Sequence, residues 1–199
     1  MKYCVQILLL TLVTAGCNTA VVKNTPSALK EISNSNIENK HYGEEATNWN
    51  VHPVQEYKSP PYHSPTPTSH PTAKLINTYD LNKQITSKNK PVMINVLGGE
   101  KYSRKSIPTS VWMKGFGRIP KDNDNINLQR FTNQLSKLSN NNKNTPLVFY
   151  CFDSMCWLSY NACLKATELG YSNIYWYRGG TAAWKSAGLP FVSTGVYRN

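Results

Sequence analysis

Residues 146–184, PLVFYCFDSMCWLSYNACLKATELGYSNIYWYRGGTAAW, alternate between short apolar runs and helical patterns. The runs at 146–151 and 173–177 are nearly continuously apolar, which is typical of strands buried on both faces. Residues 156–169 form a predicted helix that ends at Gly170, and residues 181–187 form a shorter one. The apolar face of the longer helix is Leu158, Ala162, Ala166 and Leu169.

The preceding part of the chain continues the same alternation. Residues 91–97 are another apolar run, closed by two glycines, and residues 126–138 have the apolar spacing of an amphipathic helix. Strands and helices that alternate with short links predict a parallel sheet covered by helices. We therefore expect one α/β domain over residues 75–199.

The N-terminus reads as a targeting segment. Lys2 precedes a mostly apolar run at 5–13, which is too short to span a bilayer as a helix and fits a secretory signal. The ending Ala15-Gly16-Cys17 resembles the lipobox of bacterial lipoproteins, which implies a signal peptide over 1–16 and a lipid on Cys17. Asn18 in place of an Asp favours the outer over the inner membrane, and the domain is then periplasmic. A plain secreted protein and a buried N-terminal helix are the alternatives.

Residues 17–74 are predicted to be the lipidated N-terminus and a flexible tether. Pro, Ser, Thr and His dominate residues 58–74, and repeated proline favours an extended, solvated chain. His63 and His70 in such a tract are weak metal ligands. A patch including Trp49 and Val51 is a candidate short arm that docks on the domain.

Charge and cysteine content exclude several classes of protein. The formal charge is +11, from 22 Lys and Arg against 11 Asp and Glu. The basic residues form no stripe, so no nucleic-acid partner is predicted, only weak attraction to anionic surfaces. Five cysteines without paired CxxC spacing predict neither a disulfide-dense scaffold nor a metal site.

The order of motifs resembles the C-terminal half of a rhodanese-like domain. The resemblance lies in the strand ending at Cys151, in residues 169–174 (LGYSNI), in residues 179–184 (GGTAAW) and in the ending at 187–190 (AGLP). The first half agrees more loosely, because Asn95 stands where the family usually has Asp. Residues 106–110 (SIPTS) resemble the family's His-Ile-Pro-Gly-Ala segment, without its His.

A narrower branch of that family also fits. Residues 156–162 (CWLSYNA), 174–177 (IYWY) and 107–112 (IPTSVW) are similar to the CXXCW-motif rhodanese-like proteins. That branch is associated with pyrroloquinoline-quinone-dependent alcohol catabolism, which implies a quinoprotein dehydrogenase or a cytochrome c as partner. The spacing departs from the motif, because four residues separate Cys151 from Cys156.

The resemblance maps the nucleophile to Cys151, which in rhodaneses carries sulfur as a persulfide. No other cofactor is predicted. A cysteine at the carboxyl end of a parallel strand, facing a helix N-terminus, has a physical route to a lowered pKa. Ordinary thiosulfate:cyanide transfer is disfavoured, because the loop lacks arginine and Asp153 opposes a thiolate if it points inward. The loop residues are Phe152, Asp153, Ser154 and Met155, followed by Trp157.

Cys156 is the second candidate catalytic residue. A disulfide with Cys151 is permitted by the spacing, and it is either redox-active or a structural bridge. Cys163, on the same helix, is expected to pack in the core. Arg178 is a candidate anion contact, or a solvated strand end. Sulfur handling or thiol redox chemistry, a non-catalytic accessory role that uses the surrounding aromatic side chains, and an inactive envelope lipoprotein all remain open.

Overall fold

The structure, a computed structural model, describes residues 25–99, 105–119 and 125–194. The predicted signal peptide, Cys17 and Asn18 lie outside these ranges. The elements in chain order are α1 (Thr25–Asn34), β1 (Lys74–Leu75), α2 (Thr78–Thr86), β2 (Val92–Asn95), β3 (Val111–Trp112), α3 (Asn125–Leu138), β4 (Leu147–Tyr150), α4 (Trp157–Glu168), β5 (Ile174–Tyr177) and α5 (Gly180–Ser186).

The five strands form one sheet in the order β1-β5-β4-β2-β3, and every pair is parallel. The predicted parallel α/β fold is therefore confirmed. The three apolar runs are the central strands β2, β4 and β5, because parallel strands with helices on both faces bury side chains on both faces. The short edge strands β1 and β3 have too few residues to show a period in the sequence.

Each face of the sheet has its own core. One contains Ile94, Phe149 and Trp176 with Phe131 and Leu135 of α3 and the side chains of α4. The other contains Met93, Val148, Tyr150 and Tyr177 with residues of α1, α2 and α5, among them Ile32, Leu81, Ile85 and Trp184. Among the described residues, none of the helices is long and apolar enough to cross a bilayer.

Helix α4 differs from the predicted amphipathic helix. Every residue from Trp157 to Ala166 is buried, including Asn161 and Lys165, so the helix has no solvent face there. The N-terminal segment covers the face of the helix that points away from the sheet. Tyr160 Oη exchanges hydrogen bonds with the backbone of Val54, and the Asn161 side chain bonds both backbone groups of Lys58.

For the described residues 25–73, the predicted flexible tether is wrong. Within the described residues 25–73, the chain begins with α1 and then lies against the domain, rather than extending away from it. Val51, Tyr57 and Tyr62 pack on the core that contains α4, so the predicted docking arm is one part of a much longer packed segment. Side chains of α4 satisfy the backbone of this proline-rich chain, which a local sequence pattern does not reveal.

Candidate functional site

Cys151 directly follows β4 at the carboxyl edge of the sheet, and Cys156 is the N-cap residue of α4. The two are joined by a disulfide, with 6.1 Å between their Cα atoms, which is within the ordinary range. Cys151 is 1% exposed and Cys156 is 7% exposed. The structure thus brings together the two cysteines that the sequence singled out, and it joins them.

Asp153 organises the loop between the cysteines. Its carboxylate accepts a hydrogen bond from Met155 N (2.9 Å), and its carbonyl accepts one from Cys156 N (3.2 Å). The carboxylate therefore closes the turn. These two N–H groups are used within the loop, so neither is available to a bound anion in this state.

The N-terminus of α5 supports the loop from the other side. Thr181 N donates to Cys151 O (3.1 Å) and Ala182 N to Phe152 O (2.8 Å). Gly180 has φ +57°, and a Cβ at that position would lie 2.6 Å from each of the two carbonyl oxygens. The second glycine of the Gly-Gly pair thus lets α5 approach the loop, and the Phe152 side chain remains 44% exposed.

Residues 62–66, which we call the strap, run along the cysteine loop. Trp157 N donates to Tyr62 O (2.9 Å), Ser64 N to Met155 O (2.8 Å) and Thr66 N to Ser154 O (3.3 Å). The Trp157 indole N–H donates to Pro65 O (3.0 Å). The strap belongs to the functional site, yet it lies in the stretch where composition predicted a solvated tether.

Arg178 is not the anion contact that the sequence suggested. Its guanidinium donates five hydrogen bonds to the N-terminal segment, namely to the carbonyls of Glu44, Glu45, Thr47 and Thr66 and to Thr66 Oγ1. An arginine side chain has five N–H donors, so none is left for a ligand. The residue is 2% exposed, and burial lowers its pKa. Its role is to hold the segment that includes the strap.

A cavity of about 290 Å³ lies one strand away, at the carboxyl ends of β1 and β5. Its lining includes Leu75, Ile76 and the buried carboxylate of Glu45, but neither cysteine. That carboxylate already accepts hydrogen bonds from Tyr42 N, Thr78 N and Thr78 Oγ1. The cysteine pair therefore lies outside this cavity, beneath the strap.

The aromatic residues near the cysteines are mainly core. Trp157, Tyr160 and Trp176 are each no more than 3% exposed, and Trp184 is buried in the core on the other face of the sheet. Tyr160 lies 4.8 Å from Trp157 and 5.2 Å from Trp176 between ring centroids, and the His70 ring packs on Tyr160 at 4.2 Å. These rings pack between the sheet, α4 and the N-terminal segment as part of the core.

The remaining predicted residues have simple surroundings. Cys163 is fully buried, as expected, and burial raises the pKa of its thiol, which keeps it protonated and unreactive. Ser154 is 1% exposed, and its hydroxyl has no hydrogen-bond partner among the residues that the structure describes. Among the described residues, no three His, Cys, Asp or Glu side chains are grouped to hold a metal ion.

The fold and the site together define an α/β domain with a cysteine loop at the carboxyl edge of a parallel sheet. The family model described as "Rhodanese-like domain" matches residues 78–187, more than half of the chain. The chain therefore belongs to the rhodanese-like domain family. No curated protein matches it.

One similar solved structure is the crystal structure of thiosulfate sulfurtransferase from Pseudomonas aeruginosa. It shares 16% identity with this chain at a TM-score of 0.45, over 63% of this chain and 21% of that chain. This chain thus corresponds to a minor part of that protein's length.

Two departures from the family pattern meet in the structure. Asn95, in place of the usual Asp, donates from its side-chain amide to Ser106 Oγ, which stands in place of the usual His (2.9 Å). Both residues are fully buried. A neutral hydrogen bond therefore links the two positions, and it needs no buried charge.

Proposed function

We propose that this rhodanese-like domain handles sulfur or thiols through reversible exchange of the Cys151–Cys156 disulfide. The observation that carries the proposal is the bond itself, which joins the strand-end cysteine to the N-cap cysteine of α4. Exchange proceeds by attack of a thiolate on one sulfur, with release of the other. A persulfide on Cys151 requires that bond to be opened first.

The contacts of the loop favour disulfide exchange over thiosulfate:cyanide transfer. The loop carries no arginine, and the donors of nearby Arg178 are bonded to backbone carbonyls and Thr66 Oγ1. The N–H groups of Met155 and Cys156 bond to Asp153. None of these N–H groups is therefore free to bind an anionic sulfur compound. A thiol, in contrast, needs only access to a sulfur atom of the disulfide.

The test equilibrates the folded full chain in dithiol–disulfide buffers of graded potential and traps free thiols by alkylation. We expect Cys151 and Cys156 to be alkylated together under reducing conditions and protected together again after reoxidation, while Cys163 stays unlabelled until the chain unfolds. Cys163→Ser is the matched control and should behave like the parent. A bond that persists until unfolding would identify a structural bridge and exclude the proposed exchange.

We also propose that the domain is a periplasmic lipoprotein held on the outer membrane through Cys17. Support comes from the lipobox-like ending Ala15-Gly16-Cys17 and from Asn18. Replacement of Cys17 by alanine should move the protein from the membrane fraction to the soluble periplasmic fraction. Unchanged membrane retention of Cys17→Ala would contradict the lipid anchor.

The second candidate is a non-catalytic accessory of pyrroloquinoline-quinone-dependent alcohol oxidation. It is favoured by the burial of both sulfurs, which suits an inert bridge, and by the resemblance of residues 156–162 to the CXXCW branch. Crosslinking in cells followed by capture should then recover a quinoprotein dehydrogenase or a cytochrome c. Function should survive Cys151→Ser/Cys156→Ser, whereas the exchange proposal predicts its loss.

A further inference from the structure

His63 of the strap lies directly opposite Cys156 in an antiparallel bridge. The bridge is flanked by the hydrogen bonds from Ser64 N to Met155 O and from Trp157 N to Tyr62 O. With those neighbours bonded, His63 and Cys156 are a non-hydrogen-bonded pair, the type with the closer Cα atoms. Side chains of such a pair extend to the same face, so the imidazole and the sulfur share one face of the ribbon.

The two histidines of the proline-rich stretch have different surroundings. The ring of His70 is occupied on both nitrogens, by Tyr160 O and by the backbone N–H groups of Thr72 and Ala73. The side chain of His63 is exposed and forms no hydrogen bond with any other described residue. Its ring nitrogens are therefore open to solvent and to the neighbouring Cys156 side chain.

Cys156 has properties of an attacking thiol that Cys151 lacks. It is the more exposed of the two residues, at 7% against 1%. It is the N-cap residue of the 12-residue helix α4, in an extended conformation and without a side-chain cap hydrogen bond. The N–H groups and the dipole at a helix N-terminus stabilise a thiolate at that position.

We propose that His63 is the acid–base partner of Cys156, and that Cys156 rather than Cys151 is the attacking thiol. The inference rests on the proposed disulfide exchange. In the reduced protein, His63 accepts the proton of the Cys156 thiol, and the thiolate attacks an external disulfide. One thiolate of that disulfide leaves and takes the proton from His63. Cys151 then attacks the Cys156 mixed disulfide as a thiolate, re-forms the Cys151–Cys156 bond and releases the second external thiolate, which takes up the Cys151 proton from solvent.

The other ionisable groups around His63 and Cys156 already have hydrogen-bond partners. The Asp153 carboxylate, on the loop, is held by Met155 N, and the Arg178 guanidinium, at the end of β5, is bonded to the N-terminal segment. The Tyr62 hydroxyl accepts from Ile119 N, and the Tyr160 hydroxyl, on α4, is paired with the Val54 backbone. Among these described neighbours of the pair, only the His63 ring has no such partner.

The experiment uses peptide mapping to measure the rate at which iodoacetamide alkylates Cys156, as a function of pH, in reduced full-length Cys151→Ala. We expect Cys156 to titrate below the ordinary thiol value of about 8.5. His63→Gln should raise this apparent pKa and slow alkylation at pH 6.5 about tenfold, which corresponds to one pKa unit. His52→Gln, an exposed histidine on the same segment, is the control and should leave the profile unchanged.

If Cys151→Ala does not fold, the same measurement is made on the reduced parent protein. Peptide mapping then shows whether Cys151 or Cys156 is alkylated first. Cys156 first supports the proposal. Cys151 first, or a profile unchanged by His63→Gln, overturns it. The alkylation profile does not depend on whether the disulfide opens under native conditions, so failure of the exchange and failure of the His63 pairing are distinguishable.

Discussion

Gly180 shows how much the cysteine loop depends on one missing side chain. Gly180→Ala places a methyl group against the Cys151 and Phe152 carbonyls in a left-handed backbone, whereas Gly188, at φ +70°, has open space around it. We expect Gly188→Ala to lower the free energy of unfolding by about 1 kcal/mol through backbone strain alone. Gly180→Ala should lower it by at least about 2 kcal/mol more, because of the added contact with the two carbonyls. Urea unfolding of the two variants measures this difference, and equal losses would contradict the close approach of α5.

Arg178 is a second residue that a side chain of the same charge cannot replace. Arg178→Lys keeps the charge but cannot reach all five acceptors, because an ammonium group lacks the planar fork of a guanidinium. Since buried carbonyls left without donors are unfavourable, we expect a loss of about 2–3 kcal/mol in the free energy of unfolding. Lys185→Ala, at an exposed position, should change stability by less than about 0.5 kcal/mol. A variant Arg178→Lys as stable as the parent would show that these hydrogen bonds contribute little.

At the scale of single elements, the sequence predicted what local pattern controls. Strands β2, β4 and β5 were visible because burial on both faces demands unbroken apolar runs, as in Leu147–Tyr150. Helix α4 was predicted with its apolar face but not with its buried outer face. Tyr160 and Asn161 form hydrogen bonds there with Val54 and Lys58, more than a hundred residues earlier in the chain. The spacing of apolar residues within a helix does not reveal such distant partners.

The cysteine loop follows the same rule. Its two cysteines and its place at the sheet edge were predictable from spacing, but the bond between them was only one of the permitted outcomes. Arg178 was misjudged because its partners come from residues 44–66, a stretch whose composition indicates solvated chain. Proline removes donors but not acceptors, so such a chain can still bind to side chains that donate.

The strap and the residues after it should respond to pH through His70. Burial lowers the pKa of His70 to about 4, and the neutral ring accepts the N–H groups of Thr72 and Ala73. An unfolded His70 titrates near 6.5 and binds the proton more readily, so its contribution to stability is complete above pH 6.5 and is lost as pH falls toward 4.

The measurement is the difference in unfolding free energy between the parent and His70→Asn from pH 7.5 to pH 4. We expect the parent's advantage to stay constant down to about pH 6.5 and then to shrink. His52→Asn controls for the loss of a histidine at an exposed site. A difference that does not vary with pH would show that the ring is not held in its neutral form.

For the whole molecule, the packed N-terminal segment makes a prediction about proteolysis. The Asn161 side chain bonds both the N–H and the carbonyl of Lys58, so the peptide bond after Lys58 should resist trypsin in the folded chain. Asn161→Ala should raise the cleavage rate there at least about tenfold, a loss of roughly 1.4 kcal/mol of local stability. Asn133→Ala, on α3, is the control. Rapid cleavage of the parent at Lys58 would favour the flexible tether.

The packing of residues 25–73 also sets how far the domain can reach. A tether over 17–74 would allow an extension of about 200 Å from a lipid on Cys17, at about 3.5 Å for each residue. With residues from Thr25 onward packed in the described structure, the same anchor allows at most about 28 Å. A lipidated form would then stay within about one bilayer thickness of the membrane surface. Any protein that exchanges thiols with it would have to bind close to that surface.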